Sequence, residues 1–569
     1  MHSEATRGTD VTNPLLGRRH AMYWMVVVAV AVVLWIPRLS GPIDLRWDGS
    51  VYYVLGTSLS TGAGYRIISE PGCPKALQYP PLLPGIIAMY QRVFHSTDPA
   101  IVGPPLRISY AALFITYGVL VFALATRYLV APVALVATLV CLLHHSMIFF
   151  SDILCAELPF AVITVALAFA MTRGSCSRPW RRELVLLGLA TVGFALRTAG
   201  IALFAALILE PLARRRWALS SIRAAIAIVP IAVWHLYIEG VRSSAEYRHP
   251  AYEYQRAPYL FYNVSYAENA SLVDPNRPEL GRASAGTMIT RSLNNLPRVG
   301  EAIGESVTVY DFYWRLAFSQ LQRRLSKRES VPVGLVSFAI IMFAVLTFLG
   351  FIVLILQNDW RLVSIGVASI ALVCATPWAF QFERYLAPMG AILTIAMVVA
   401  VTELPKILLS RRSTRLAVIF QQWLFVPLFG SVLLLQAYTL WKIFQERSRN
   451  GAMYVATPGV VAPHFFSHDQ VWFGWEEAVA WLRANTPSDA IIATSASHLC
   501  YLYTCRKAVA PPVEHNPSRT RRLLESVPVS YVIVDRSYSL PAIETGAQAW
   551  QLVKQFHGTR LYARRVGAD

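Results

Sequence analysis

Charge is scarce in this chain. Asp, Glu, Lys and Arg make up 15% of its 569 residues while 55% are hydrophobic, and a mean hydropathy of +0.45 excludes an ordinary soluble enzyme of this length. Acidic residues are scarcer than basic ones, 33 against 51, which leaves a formal charge of +18 and a pI near 9.7. The basic excess is spread over short loops and the C-terminal tail rather than gathered in one stripe, so no nucleic-acid partner is expected; membrane lipids and phosphate-bearing lipids are. Seven cysteines set no disulfide framework. Cys141, Cys155 and Cys374 lie in apolar runs as small hydrophobes, and Cys500 and Cys505 in the tail leave one bridge open. Gly-rich phosphate loops are missing and no cofactor is expected. No metal centre is expected either: His144 and His145 are adjacent and so point apart, and His235 stands alone in an apolar run.

What the chain has instead is long uncharged runs. Those at 108–126, 128–151, 331–358, 362–382 and 416–441 can each cross a hydrocarbon layer of roughly 30 Å. Shorter or interrupted runs lie at 21–36, 158–172, 184–196, 198–209, 224–238 and 386–402. Together they predict a polytopic helical membrane protein of about eleven spans. Short loops rich in Lys and Arg stay in the cytoplasm. Arg18-Arg19, Arg127, the 173–182 loop, Arg214 to Arg216, Arg361 and the 411–415 loop all fall on one side, provided Arg197 marks a turn at the other. The N-terminus is then cytoplasmic and the C-terminus extracytoplasmic, in a cell membrane and most simply a bacterial inner membrane. Pro37-Arg38 follows Ile36 where a cleavage motif would stand, so the first run reads as an uncleaved helix.

Three regions are placed outside. Residues 40–105 form a loop too long for a mere connector, with 52–60 at helical spacing along the interface and Tyr79-Pro80-Pro81 making a rigid elbow. Residues 240–330, rich in Tyr, Asn, Arg and Pro, form either an interfacial belt or a lid. Residues 445–569 have the composition of a small soluble α/β domain. Helical signals at 475–485 and 519–526 alternate there with β-rich runs at 490–494, 529–535 and 559–565. Residues 1–444 are the membrane domain, with the loop 40–105 as its catalytic part.

Candidate chemistry concentrates near the outer face. Asp48, in Arg46-Trp47-Asp48-Gly49, sits just past the first span, where a carboxylate is costly to desolvate. Glu157 opens a later span and carries the same cost, and Asp152 either caps a helix or joins them. Positions five apart on a helix diverge, so Asp152 and Glu157 form no implied pair. Arg384, beside Tyr385, and Arg197 supply permanent cations that bind phosphate oxygens bidentately. Against this stand an Arg384–Glu383 ion pair and an Arg197 that merely reaches headgroups. A carboxylate base beside fixed cations suits group transfer away from a lipid phosphate.

The motifs Trp47-Asp48-Gly49 with Tyr52-Tyr53, Tyr79-Pro80-Pro81, Ala156-Glu157-Leu158-Pro159-Phe160 and Glu383-Arg384-Tyr385-Leu386-Ala387-Pro388 run in that order through most of the membrane region. In order and sidedness the chain resembles the GT-C glycosyltransferases, in the bacterial branch related to protein O-mannosyltransferases, lipid A aminoarabinose transferases and lipopolysaccharide core-sugar transferases. The resemblance implies an all-α polytopic membrane protein of GT-C type with a C-terminal soluble α/β domain. It implies a polyprenyl-phosphate-linked sugar as donor and a lipid, glycan or protein hydroxyl as acceptor. Asp48 takes the catalytic position, with Glu157 and Asp152 beside it, and Arg384, Tyr385, Arg197, Tyr79 and Tyr53 hold substrate. Many relatives carry a second acid after that Asp, where this chain has Gly49, which leaves a metal-bridging scheme without support. A transporter or flippase of lipid-linked glycans, and a ligase moving a whole oligosaccharide, are the alternatives. No repeat of the kind that builds many transporters is found.

Overall fold

The computed structural model describes residues 14–39, 41–173, 179–325, 333–409, 414–449, 470–535, 540–545 and 549–565. The basic loops at 173–182 and 411–415 and the first part of the C-terminal tail lie partly outside the described residues. Among the described residues six helices are long and apolar enough to cross a membrane, or seven if the bent pair Ala131–Leu143 and His145–Asp152 is one span. Three shorter apolar helices, Glu157–Thr172, Thr198–Ala213 and Arg361–Ala375, accompany them. The eleven spans expected are therefore not all carried by full-length helices.

Hydropathy does not register where the backbone breaks. The run 128–151 is interrupted at His144, whose extended backbone (φ −65°, ψ 124°) bends the two halves by 53°. At Arg197 the sequence does place a turn between two short runs, and there the backbone is extended (φ −148°, ψ 139°) and separates Pro179–Leu196 from Ile201–Ala213. Gly200, in the turn that follows, lies so close to Phe194 that a Cβ would stand 2.4 Å from its amide nitrogen; glycine alone fits. Deeper in the bundle, Val333–Leu356 packs along Gly390–Leu409. Gly350 permits the approach, since a Cβ there would reach within 1.8 Å of the Ala396 carbonyl oxygen.

The helix Asp48–Ser60 departs from its expected place on the interface, for it is buried from Asp48 to Ser58. It packs on Leu82–Val93, which starts directly after Pro80-Pro81, and the helix Ser497–Thr504 of the C-terminal part lies across it. An apolar face read as lipid-facing is covered by protein instead.

The C-terminal part is an α/β unit with a five-stranded sheet in the order β2-β1-β3-β5-β4. Its strands are β1 (Ile491–Ala493), β2 (Ala508–Val509), β3 (Val529–Val534), β4 (Trp550–Phe556) and β5 (Thr559–Arg564). β1 pairs in parallel with β2 and β3, while β5 runs antiparallel to β3 and β4. The three β-rich runs became β1, β3 and β5; β2 is too short and β4 too polar to stand out in sequence. Cys500 is buried in its helix and Cys505 ends that helix at φ 58°. Both thiols are free, so the bridge left open does not form. The unit docks onto the 40–105 loop through Ala508 N–H on the Ser69 carbonyl (2.8 Å), His498 Nδ1 on Ser69 Oγ (2.8 Å) and Lys507 on the Ile68 carbonyl.

Candidate functional site

The placement of Asp48 begins with its neighbours. Arg46 folds back on Asp44 as a buried ion pair, Nη2 to Oδ2 at 2.6 Å, with the Arg46 amide on Oδ1 at 2.9 Å. Trp47 then takes a positive φ of 54°, a region that costs a non-glycine residue on the order of 1–3 kcal/mol. Its ring is held against Phe149 at 5.7 Å and Trp472 at 6.1 Å. The turn aims Asp48 inward at the start of its helix. Meanwhile the Asp44 backbone pairs with Ile153, its amide bonding the Asp152 carbonyl (3.3 Å) and its carbonyl the Leu154 amide (2.9 Å). That bridge carries the first loop alongside the segment leading into Glu157.

Four charged side chains meet there. Arg384 donates Nε to Glu157 Oε1 at 2.6 Å and Nη2 to Asp48 Oδ2. Arg197 Nη1 lies 3.0 Å from the same Glu157 oxygen, and Tyr262 donates its hydroxyl to Asp48 Oδ1 at 2.8 Å. Two carboxylates balance two guanidiniums, so the cluster is neutral as it stands. Glu157 is sealed beneath the arginines at 1% exposure, while Arg384 keeps 30%. Burial, and then the Asp48 carboxylate, push the Tyr262 phenol well above its ordinary range, so it remains a donor.

Asp48, Tyr79, Arg197, Arg384 and Tyr385 line one cavity of about 610 Å³. Its apolar lining includes Phe160, Phe194, Ile201, Trp234 and Leu372 from the bundle. Its aromatic lining comes from 259–266 and from Trp378, with Phe261 and Tyr266 packed on Trp378 at 5.5 and 5.2 Å. Val513 of the C-terminal unit also reaches this cavity.

Two expected site residues lie elsewhere. Asp152 ends its helix rather than capping one, and is buried with Arg107 Nη2 at 3.6 Å from Oδ1. Tyr53 points away from the cavity and donates to the Thr97 carbonyl at 3.0 Å; its neighbour Tyr52 lines the cavity instead. A helix turns consecutive residues by about 100°, so Tyr52 and Tyr53 could not both face the site. Arg384 does not pair with Glu383, nor is Arg197 a simple headgroup contact, because both are committed to carboxylates of the cluster. The His144 and His145 rings do not point apart: their centroids lie 4.8 Å from each other, since His144 sits outside the helix that His145 starts. Nothing local in the sequence marks Tyr262, Tyr266 or Trp378 as a cavity residue. The Tyr-rich composition of 240–330 was the signal available.

The fold of the bundle with its C-terminal α/β unit matches solved structures. Archaeal oligosaccharyltransferase AglB from Archaeoglobus fulgidus, in complex with an inhibitory peptide and a dolichol-phosphate, aligns over 92% of this chain and 70% of its own at a TM-score of 0.54 and 12% identity. The chain has the GT-C fold. An Archaeoglobus fulgidus oligosaccharyltransferase in the apo form aligns over 90% of this chain and 69% of its own, again at 0.54 and 12%. ArnT from Cupriavidus metallidurans bound to undecaprenyl phosphate aligns over 96% of this chain and 99% of its own at a TM-score of 0.43 and 11% identity. No protein-family model and no curated protein matches the chain by sequence. Within this GT-C framework Gly49 has a local cause: a Cβ there would lie 3.0 Å from the Leu154 carbonyl oxygen, so a second acid after Asp48 would push on the backbone that leads to Glu157.

Proposed function

We propose that the protein is a membrane glycosyltransferase that moves a sugar from a polyprenyl-phosphate-linked donor to a hydroxyl of a lipid, glycan or protein acceptor at the extracytoplasmic face. The observation that carries this reading is a single apolar and aromatic cavity holding a carboxylate, Asp48, against two guanidiniums, Arg384 and Arg197. An apolar cavity suits a prenyl chain, arginines suit its phosphate, and aromatic faces suit a sugar ring. The likeness to an oligosaccharyltransferase solved with a dolichol-phosphate supports a lipid-linked donor.

In this mechanism the donor phosphate takes Arg384 away from Asp48. The freed carboxylate accepts the proton of the acceptor hydroxyl as its oxygen attacks the anomeric carbon. The bond from that carbon to the phosphate oxygen breaks, and Arg384 and Arg197 hold the departing lipid phosphate. Glu157 keeps both arginines in place. Asp152 and Tyr53 have no part in the step.

The test is transfer from a polyprenyl-phosphate sugar in vesicles. Asp48→Asn is expected to lower it by a factor of about 10² to 10⁴ with expression intact, and transfer unchanged in this variant would refute the assignment. A flippase of lipid-linked glycans need not depend on Asp48. Transfer of an assembled oligosaccharide is the second reading, favoured by the oligosaccharyltransferase fold match; product mass separates it from transfer of one sugar.

A further inference from the structure

We propose that His144, His145 and Glu383 form a divalent-cation site of the zinc class, distinct from the Asp48 cluster, which ties the bend at His144 to the helix carrying Arg384. One ligand atom from each of the three lies within 4.8 Å of the other two. His145 Nε2 is 3.0 Å from Glu383 Oε1, and Ser146 Oγ lies 3.2 Å from the same nitrogen while donating to the same carboxylate. Two elements remote in sequence thus aim imidazole and carboxylate at one point.

A separate observation concerns the far side of His144. Its Nε2–H donates to the Glu305 carbonyl at 2.8 Å, which fixes the tautomer and leaves the Nδ1 lone pair as an acceptor. There it accepts only a Ser146 amide at 3.3 Å, the long limit for such a bond. Metal-bound imidazoles are oriented this way, with the remote nitrogen donating to a carbonyl. His145 Nδ1 has no hydrogen-bond partner, so the polar contacts of that ring run through Nε2 alone.

Glu305 stands near Glu383 and Asp311 near Glu305, with Asp311 paired to Arg315 Nε at 2.7 Å. Two imidazoles and one carboxylate, with a fourth position beside Ser146, suit Zn²⁺ or Co²⁺ rather than Mg²⁺ or Ca²⁺, which prefer oxygen ligands. The side chains of His145 and Glu383 keep 12% and 19% exposure, enough for an ion to enter. The ion replaces the proton shared by His145 and Glu383, which passes to solvent. Because Glu383 precedes Arg384, the ion holds the arginine's helix against the bend without touching substrate.

The experiment uses the full chain in detergent, stripped with a chelator, incubated with Zn²⁺ alone and desalted before metal analysis. About one equivalent per chain is expected, retained in Asp48→Asn and lost in both Glu383→Gln and His145→Gln. Co²⁺ in place of Zn²⁺ should give visible d–d absorption in the wild type that Glu383→Gln abolishes. Wild-type protein that holds no zinc overturns the proposal whatever the variants do. So does zinc retained equally by Glu383→Gln and His145→Gln. The readout is bound metal, so failure here is distinguishable from failure of the glycosyl-transfer reading.

Discussion

On the proposed mechanism, Asp48 and a donor phosphate compete for the same guanidinium. Arg384 already joins Asp48 and Glu157, and its remaining donors cannot satisfy a phosphate and both carboxylates at full strength. Asp48→Asn should therefore bind polyprenyl phosphate more tightly than the wild type even as transfer is lost; weaker binding in a lipid-phosphate titration would contradict the exchange. Tyr262 holds the other Asp48 oxygen. A hydrogen bond to a charged group contributes about 1.5–3 kcal/mol, so Tyr262→Phe should lower kcat by roughly tenfold or more and leave the donor KM unchanged, as steady-state kinetics would show. Asp48, Glu157, Arg197 and Arg384 were legible as isolated chemistry. Their pairing was not, because Arg384 reaches Glu157 across 227 residues and Asp48 across 336.

Close approaches between helices and loops set where these residues stand. Gly350→Ala would force apart two spans whose backbones touch, and a cost above about 1 kcal/mol is expected for such overpacking, measured as a lowered Tm in detergent. Between the 40–105 loop and the 240–330 region, Glu70 is buried and receives three donors on Oε2, from Tyr252 (2.9 Å), Gln255 (3.1 Å) and Asn263 (2.8 Å). Burial raises its pKa above the ordinary carboxylate value despite these bonds. The folded state then binds this proton more readily than the unfolded one, so its contribution to stability is full below the unfolded pKa and is lost as pH rises through the folded one. Glu70→Gln should remove that decline, seen as a flatter Tm-against-pH curve. The helix Asp48–Ser60 has helical spacing that sequence reports well, yet sequence assigned it to the membrane surface. Apolar spacing marks a buried face but not whether lipid or protein covers it.

Taken whole, the molecule is a helical bundle capped by its own C-terminal unit. Trp472 packs on Trp47, His498 on Tyr262 at 5.4 Å, and Ser69 is gripped by both His498 and Ala508. Burial lowers the His498 pKa from 6.5 to about 4. The unfolded chain takes up this proton first as pH falls, so the stabilisation present above pH 6.5 is lost progressively down to about 4. Thermal unfolding across that window should show the loss, and His498→Phe, which keeps a ring without titrating, should lessen it.

Residue chemistry and hydropathy are local properties. The chain therefore announced a polytopic membrane protein, its C-terminal α/β unit and the acids and arginines that meet in the cluster. Convergence is not local. The strained turn at Trp47, the Asp44–Ile153 bridge, the bend at His144 and the capping by the C-terminal unit arise from contacts between distant segments. Those contacts brought Glu157 to Asp48, took Asp152 and Tyr53 away from it, and set two histidines against a glutamate 238 residues further on.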